Sequence, residues 1–150
     1  MKRPPKDLFF VSVQLLLFVL FIFRIPAIDI AFSVWLRYLG LLLFVAGAII
    51  LIAAFMALNK NLSPFPTPKR SGELVDTGVY HYIRHPIYTG ILFMAPGLAF
   101  YTECAWRFLI FVALLILFIF KATYEELLLL NKYPGYAAYK KTTGMFFPRF

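Results

Sequence analysis

Residues 35–58 read WLRYLGLLLFVAGAIILIAAFMAL, an apolar run whose one charge, Arg37, stands near its start. A helix that crosses the hydrocarbon core of a bilayer needs about 20 predominantly apolar residues. This stretch supplies them without interruption and without the polar–apolar alternation of a half-buried strand. It reads as a membrane-spanning helix. The whole chain agrees: of 150 residues, 62% are hydrophobic, and the mean hydropathy is +0.80. Soluble domains hold about 45–50% apolar residues, so the composition excludes an ordinary soluble domain.

Three further apolar runs flank this one: about Leu8–Ile28, Ile87–Tyr101 and Ala105–Phe120. The last is expected to continue as helix to about Asn131, with its spanning part ending near 124 if Lys121 and Glu125 sit at the interface. The third run is short and contains Pro96 and Gly97, which predicts a kink, a tilt or close pairing with the fourth. A β-barrel is disfavoured because the runs are continuous. The expected fold is all-α: a polytopic membrane protein with about four transmembrane helices (about 8–28, 35–58, 87–101 and 105–124). A cytoplasmic loop and a C-terminal helical tail, which together would form the functional site, would complete a single domain over 1–150. The first run is too long for a secretory signal and no small-residue cleavage site follows it. Gly40, Gly47, Ala46, Ala48, Ala53 and Ala54 give the second span a face suited to close helix packing, within the chain or between chains.

The net charge is +8. Lys2, Arg3, Lys6, Lys60, Lys69, Arg70, Arg84, Lys121, Lys132, Lys140, Lys141 and Arg149 fall on one side of the spans. Only Arg24, Arg37 and Arg107 fall on the other, twelve against three. The bias of Lys and Arg toward cytoplasmic segments then places both termini and the 59–86 loop in the cytoplasm. The same distribution accounts for the basic charge without nucleic acid, since no basic face interleaves with exposed aromatics. A lone cysteine, Cys104, excludes an internal disulfide and a cysteine-based metal cluster, and no metal site is expected.

Any chemistry belongs to the cytoplasmic face, where the long loop and the tail lie. In the loop, Pro64, Pro66 and Pro68 favour an extended, stiff path. SGELVDTG, residues 71–78, sets turn formers around Leu74 and Val75. GVYHYIRHPIYTG, residues 78–90, then leads into the third span. Pro86 suits the first helical turn, where a missing N–H costs nothing, so His85 stands at the cap of a helix start that favours anions. Gly90 allows a close approach on the same face, and Tyr80 and Tyr88 suit a border between dry and polar surroundings. His81 reads as a membrane-edge anchor.

KATYEELLLL, residues 121–130, places Lys121 and Glu125 on one helix face, with Glu126 turned about 100° further round. Carboxylates directly after a span are costly against lipid, so they should point into protein or water. In the tail, Pro134–Gly135 breaks the helix. Tyr133, Tyr136 and Tyr139 read as an amphipathic anchor at the interface, and Phe146, Phe147 and Pro148 return apolar surface to the membrane or to the site.

GVYHYIRHPIYTG, followed by EELLLLNKYPGYAAYKK (residues 125–141) and a late Pro148, resembles the isoprenylcysteine carboxyl methyltransferase family. The related phospholipid methyltransferases share the pattern. The resemblance covers roughly 59–150, and more loosely the second span. It implies a membrane enzyme that transfers a methyl group from S-adenosylmethionine, leaving S-adenosylhomocysteine, to a lipophilic small molecule or lipidated group among the membrane lipids. It implies cofactor contacts at Glu73, Leu74, Val75, Tyr80, His85, Pro86, Ile87, Tyr88 and Glu125. Lys121, where members often carry a substrate-associated arginine, and Glu126 would position the acceptor. A multi-pass protein of a prokaryotic inner membrane is the expected location. Arg-His-Pro-x-Tyr alone also occurs in membrane sterol reductases, so an NADPH-binding reductase-like protein is one alternative. A non-enzymatic membrane binding module is the other.

Overall fold

The computed structural model describes residues 4–23, 30–58 and 61–149. The chain forms α1 (Pro5–Ile22), α2 (Val34–Leu58), a 3-10 turn at Gly78–His81, α3 (Pro86–Tyr101), α4 (Ala105–Lys132) and α5 (Tyr136–Thr142). The described residues contain no strand, only an isolated parallel bridge between Ile83 and Gly144. Helices α1, α2 and α4 are long and apolar enough to cross a membrane, and α3 is a shorter apolar helix of 16 residues. Their outer faces expose large apolar side chains, such as Trp35 and Met56, that only lipid would cover. The protein is an integral membrane protein.

The expected boundaries hold for α2, α3 and α4, including the extension of α4 past the membrane. The first span differs. It starts at Pro5, where proline fits the first turn, and ends at Ile22, with Phe23 already extended. The remainder of the expected span, 24–28, lies outside the described residues, as do Lys2, Arg3, Arg24 and Lys60.

The short α3 packs chiefly along α2 rather than α4. Glycine is the reason. A Cβ on Gly40 would lie 2.6 Å from the Gly97 carbonyl oxygen, and one on Gly47 would lie 2.6 Å from that of Gly90. Two crossings about two turns apart thus bring backbone against backbone, as small residues permit between membrane helices. Gly47→Ala should lower stability by about 1–2 kcal/mol, since the obstructing atoms are backbone and cannot rotate away. Thermal unfolding of the detergent-solubilised protein, followed by helical circular dichroism, measures this. An unchanged midpoint would mean the two helices part freely.

A second core joins α1, α3 and α4, where Ala95, Ile110, Leu114 and Phe118 pack with Phe18, Phe21 and Tyr88. The Trp106 indole N–H donates to the Leu20 carbonyl at 2.9 Å and fixes the far end of α1.

The tail folds back onto the start of α3, as expected of a tail that helps form the site, rather than lying out along the membrane surface as an interfacial anchor. Helix starts leave backbone N–H groups without intrahelical partners. Here tail carbonyls meet the N–H of the cap residue and of the residue before it: His85 N–H donates to Met145 and Arg84 N–H to Gly144, at 3.1 and 2.9 Å. Thr89 Oγ1 donates to the Phe146 carbonyl at 2.8 Å. Tyr136, expected on an exposed interfacial face, is 1% exposed. The tail is therefore a wall of the structure at the start of α3.

Candidate active site

Where the loop, the start of α3 and the outer part of α4 meet, they enclose a cavity of about 390 Å³, a size typical of small-molecule sites. Of the residues singled out from sequence, Glu73, Leu74, Val75, Tyr80, His85, Ile87, Tyr88, Lys121 and Glu125 line it. Pro86 and Glu126 are not among its lining residues. Pro86 begins α3 and fixes the direction of the helix; Glu126 faces elsewhere.

One end of the cavity is built by two ring stacks. The His85 ring lies parallel to Tyr88, with centroids 5.3 Å apart, and Tyr88 stacks on Phe118 at 4.7 Å. Held in this way, the Tyr88 hydroxyl donates to Glu125 Oε2 at 2.8 Å, and His85 Nδ1 stands 3.9 Å from the same oxygen. The first turn of α3 and the outer part of α4 thus converge on one carboxylate. Glu125 remains partly accessible from the cavity, with a side chain 26% exposed.

The adjacent acid has a different setting. Arg84 Nε donates to Glu126 Oε1 at 2.7 Å, Lys140 Nζ lies 2.6 Å from Oε2, and His85 Nε2 is 3.4 Å from Oε1. Arg84 also donates to the carbonyls of Lys140 and Thr143. Glu126 therefore ties α4 to the residues before α3 and to α5. Glu126, expected to help position the acceptor, does not itself line the cavity: its carboxylate is taken up by Arg84 and Lys140 behind His85. His81 is exposed and outside the lining.

The proline-rich loop is clasped from several sides. Lys121 Nζ donates to the Pro64 carbonyl at 3.0 Å and to Gln14 Oε1 at 2.6 Å, and lies 5.4 Å from the Tyr88 ring centre. The expected interfacial pair of Lys121 with Glu125 is replaced by these contacts, and Lys121 is 1% exposed. Asp7 Oδ2 accepts from Thr67 N–H at 3.2 Å. Asp7 is fully buried, and its other oxygen and the Thr67 hydroxyl have no hydrogen-bond partner among the described residues. Tyr133 Oη donates to the Gly72 carbonyl at 2.7 Å, and Asn61 to that of Glu73 at 3.2 Å. Lys132 donates to the carbonyl of Lys69.

Sequence reasoning missed Asp7 and Gln14. A signal was present, since polar side chains in an apolar spanning helix are costly unless they meet a partner or a cavity. Tyr133, Tyr136 and Tyr139, read singly as interfacial anchors but lying in a tail expected to help form the site, all line the cavity. Tyr139 Oη donates to the Tyr80 carbonyl at 2.6 Å. Burial, reinforced by the charge of Glu125, holds the Tyr80 phenol well above the usual range, and burial pushes Tyr139 up to about 12. These phenols stay neutral near neutral pH and act as hydrogen-bonding walls. The described residues contain no group of three His, Cys, Asp or Glu side chains that could hold a metal ion.

Comparison with known proteins adds the decisive observation. The profile of the phospholipid methyltransferase family matches residues 35–135, more than half of the chain. The chain belongs to the phospholipid methyltransferase family. It is also 28% identical, over 92 residues, to the protein-S-isoprenylcysteine O-methyltransferase of Xenopus laevis, an alignment covering 53% of this chain and 32% of that protein. The chain thus spans about a third of the length of that curated relative. The phospholipid methyltransferase match takes in α2, the loop, α3 and α4, and with them His85, Tyr88, Lys121, Glu125 and Glu126. Asp7, Gln14, Tyr136, Tyr139 and Lys140 lie outside the matched stretch.

Proposed function

We propose that this protein transfers a methyl group from S-adenosylmethionine to a lipophilic acceptor at the cytoplasmic face of a membrane, releasing S-adenosylhomocysteine. Residues 1–150 act as one unit with its catalytic region at about 59–150, both termini are cytoplasmic, and the setting is a prokaryotic inner membrane. The observation that carries this reading is the convergence of His85, Tyr88 and Glu125 on a cavity that is polar toward the loop and apolar toward the bundle. Phe18, Phe55, Leu58 and Ile91 line the apolar end.

The residues suit the cofactor. Glu125 is a carboxylate placed to face positive charge or ribose hydroxyls. Backbone at Glu73–Val75 and the rings of Tyr80 and His85 offer polar edges and flat apolar faces to an adenosine. When bound, S-adenosylmethionine supplies a methyl carbon already activated on a sulfonium. The protein then has to position both partners and exclude water, which supplies most of the acceleration for such a displacement. Tyr88 and the stack behind it hold Glu125 in place. Lys121, held by Gln14 and by the Pro64 carbonyl, places a buried cation beside the Tyr88 ring in the cavity wall. An amine acceptor would need a base, yet Glu126 is occupied by cations and His81 stands outside. An acceptor that arrives as an anion, a carboxylate or thiolate on a lipid-soluble body, needs no base, whereas an amine would have to give its proton to His85 or Glu125, which line the cavity.

Calorimetric titration of the solubilised protein with S-adenosylmethionine, S-adenosylhomocysteine and NADPH tests the proposal. The two adenosyl compounds should bind and NADPH should not. Binding of NADPH alone would instead support a reductase-like protein, and no binding of any of the three a non-enzymatic module.

A further inference from the structure

Outside the cavity, the tail and the last turns of α4 frame an open groove of about 650 Å³. Arg84, Lys140, Lys141 and Arg149 line it, and no acidic residue does. We propose that this groove holds an anionic phospholipid of the surrounding bilayer, as a bound ligand distinct from the methyl acceptor.

Charge is the first argument. Glu126 lies behind the groove and offsets one of its four cations. Arg84 and Lys140 share that carboxylate, while among the described residues no acid pairs with Lys141 or Arg149. The excess positive charge sits beside the last turns of α4, just beyond its apolar run, and basic clusters next to a membrane-spanning helix attract anionic lipid headgroups. Apolar surface is the second argument. Phe147 is 64% exposed and Leu130 37%, both on the groove lining. A soluble anion gains nothing from them; an acyl chain beside a phosphate covers them.

The groove is separate from the cavity. Arg84 is the one residue that lines both, and its guanidinium is engaged by Glu126 and by the carbonyls of Lys140 and Thr143. A lipid in the groove is therefore walled off from the methyl-transfer site. It still reaches that site indirectly. Lys140, 43% exposed, faces the groove while holding Glu126, and Glu126 lies beside His85.

Native mass spectrometry of the solubilised full chain, offered phosphatidylglycerol and phosphatidylcholine of equal chain length, tests the proposal. It does not depend on methyl transfer, and phosphatidylglycerol has no amine to methylate. Phosphatidylglycerol should be retained in preference. The double change K141Q/R149Q should reduce that preference about 25-fold, at about fivefold per basic side chain near the lipid phosphate. Equal retention of the two lipids by the parent protein would overturn the proposal. So would an undiminished preference in a double variant with unchanged helical content. Complete displacement of the lipid by millimolar inorganic phosphate would also overturn it, marking a site for a free anion.

Discussion

Arg84→Ala is expected to destabilise the protein by about 3–5 kcal/mol, the usual cost of removing one partner from a buried ion pair. Both side chains are almost fully buried, at 7% for Arg84 and 2% for Glu126. The loss is larger than one contact because Arg84 also caps the carbonyls of Lys140 and Thr143. Without it, Glu126 keeps Lys140 but loses its bond at Oε1, and the tail loses one side-chain link to the start of α3, keeping that of Thr89. Replacing both partners by apolar residues of similar size, R84M with E126L, should recover much of the stability, because two desolvated charges are then removed together. Unfolding of each variant in detergent separates the cases. A single variant as stable as the parent would show that the pair contributes nothing net. A double variant no better than the single one would place the cost in the lost backbone contacts.

This arrangement shows where sequence reading succeeds and where it stops. The spans were legible because apolar runs of membrane length have few other uses. The start of α3 was legible because Pro86 can only open a helix there, and Pro134–Gly135 marked the end of α4 for a similar reason. The pairing of α2 with α3 was half legible. Gly40 and Gly47 announced a close approach, but a glycine carries no side chain to indicate which helix comes near. The division of labour between Glu125 and Glu126 was hidden for a different reason. Adjacent helical residues point about 100° apart, so one faces the cavity and the other the tail. The rotation of α4 decides which, and its apolar run left no polar face to fix that rotation. Asp7 and Gln14 act on a loop and a lysine that follow them at distances of 60 and 107 residues. No local pattern encodes such a meeting. That the tail joins the loop at the site was legible, but how it does so was not: tyrosines spaced for an interfacial helix are equally suited to a wall, and the backbone donors that hold the tail are invisible in side-chain patterns.

Glu125→Gln is expected to weaken binding of S-adenosylmethionine about 100-fold, in line with the loss of a charged partner. The fold should be unaffected, because glutamine has the same shape and can still accept the Tyr88 hydroxyl hydrogen through its carbonyl. A melting temperature matching the parent's, beside a large change in affinity, is thus the signature of a residue that meets the ligand. Comparison of two ligands refines the result. S-adenosylhomocysteine lacks the methyl group and with it the sulfonium charge, but keeps the ribose and the amino-acid ammonium. If Glu125 faces the sulfonium, the substitution weakens the methylated ligand far more than the demethylated one. If it faces the ribose or the ammonium, both weaken alike. Tyr88→Phe should reproduce the same pattern at smaller amplitude, since it removes only the hydroxyl that orients the carboxylate. Affinities unchanged for both ligands would remove Glu125 from the binding site, and the meeting of α3 and α4 would then be a structural joint.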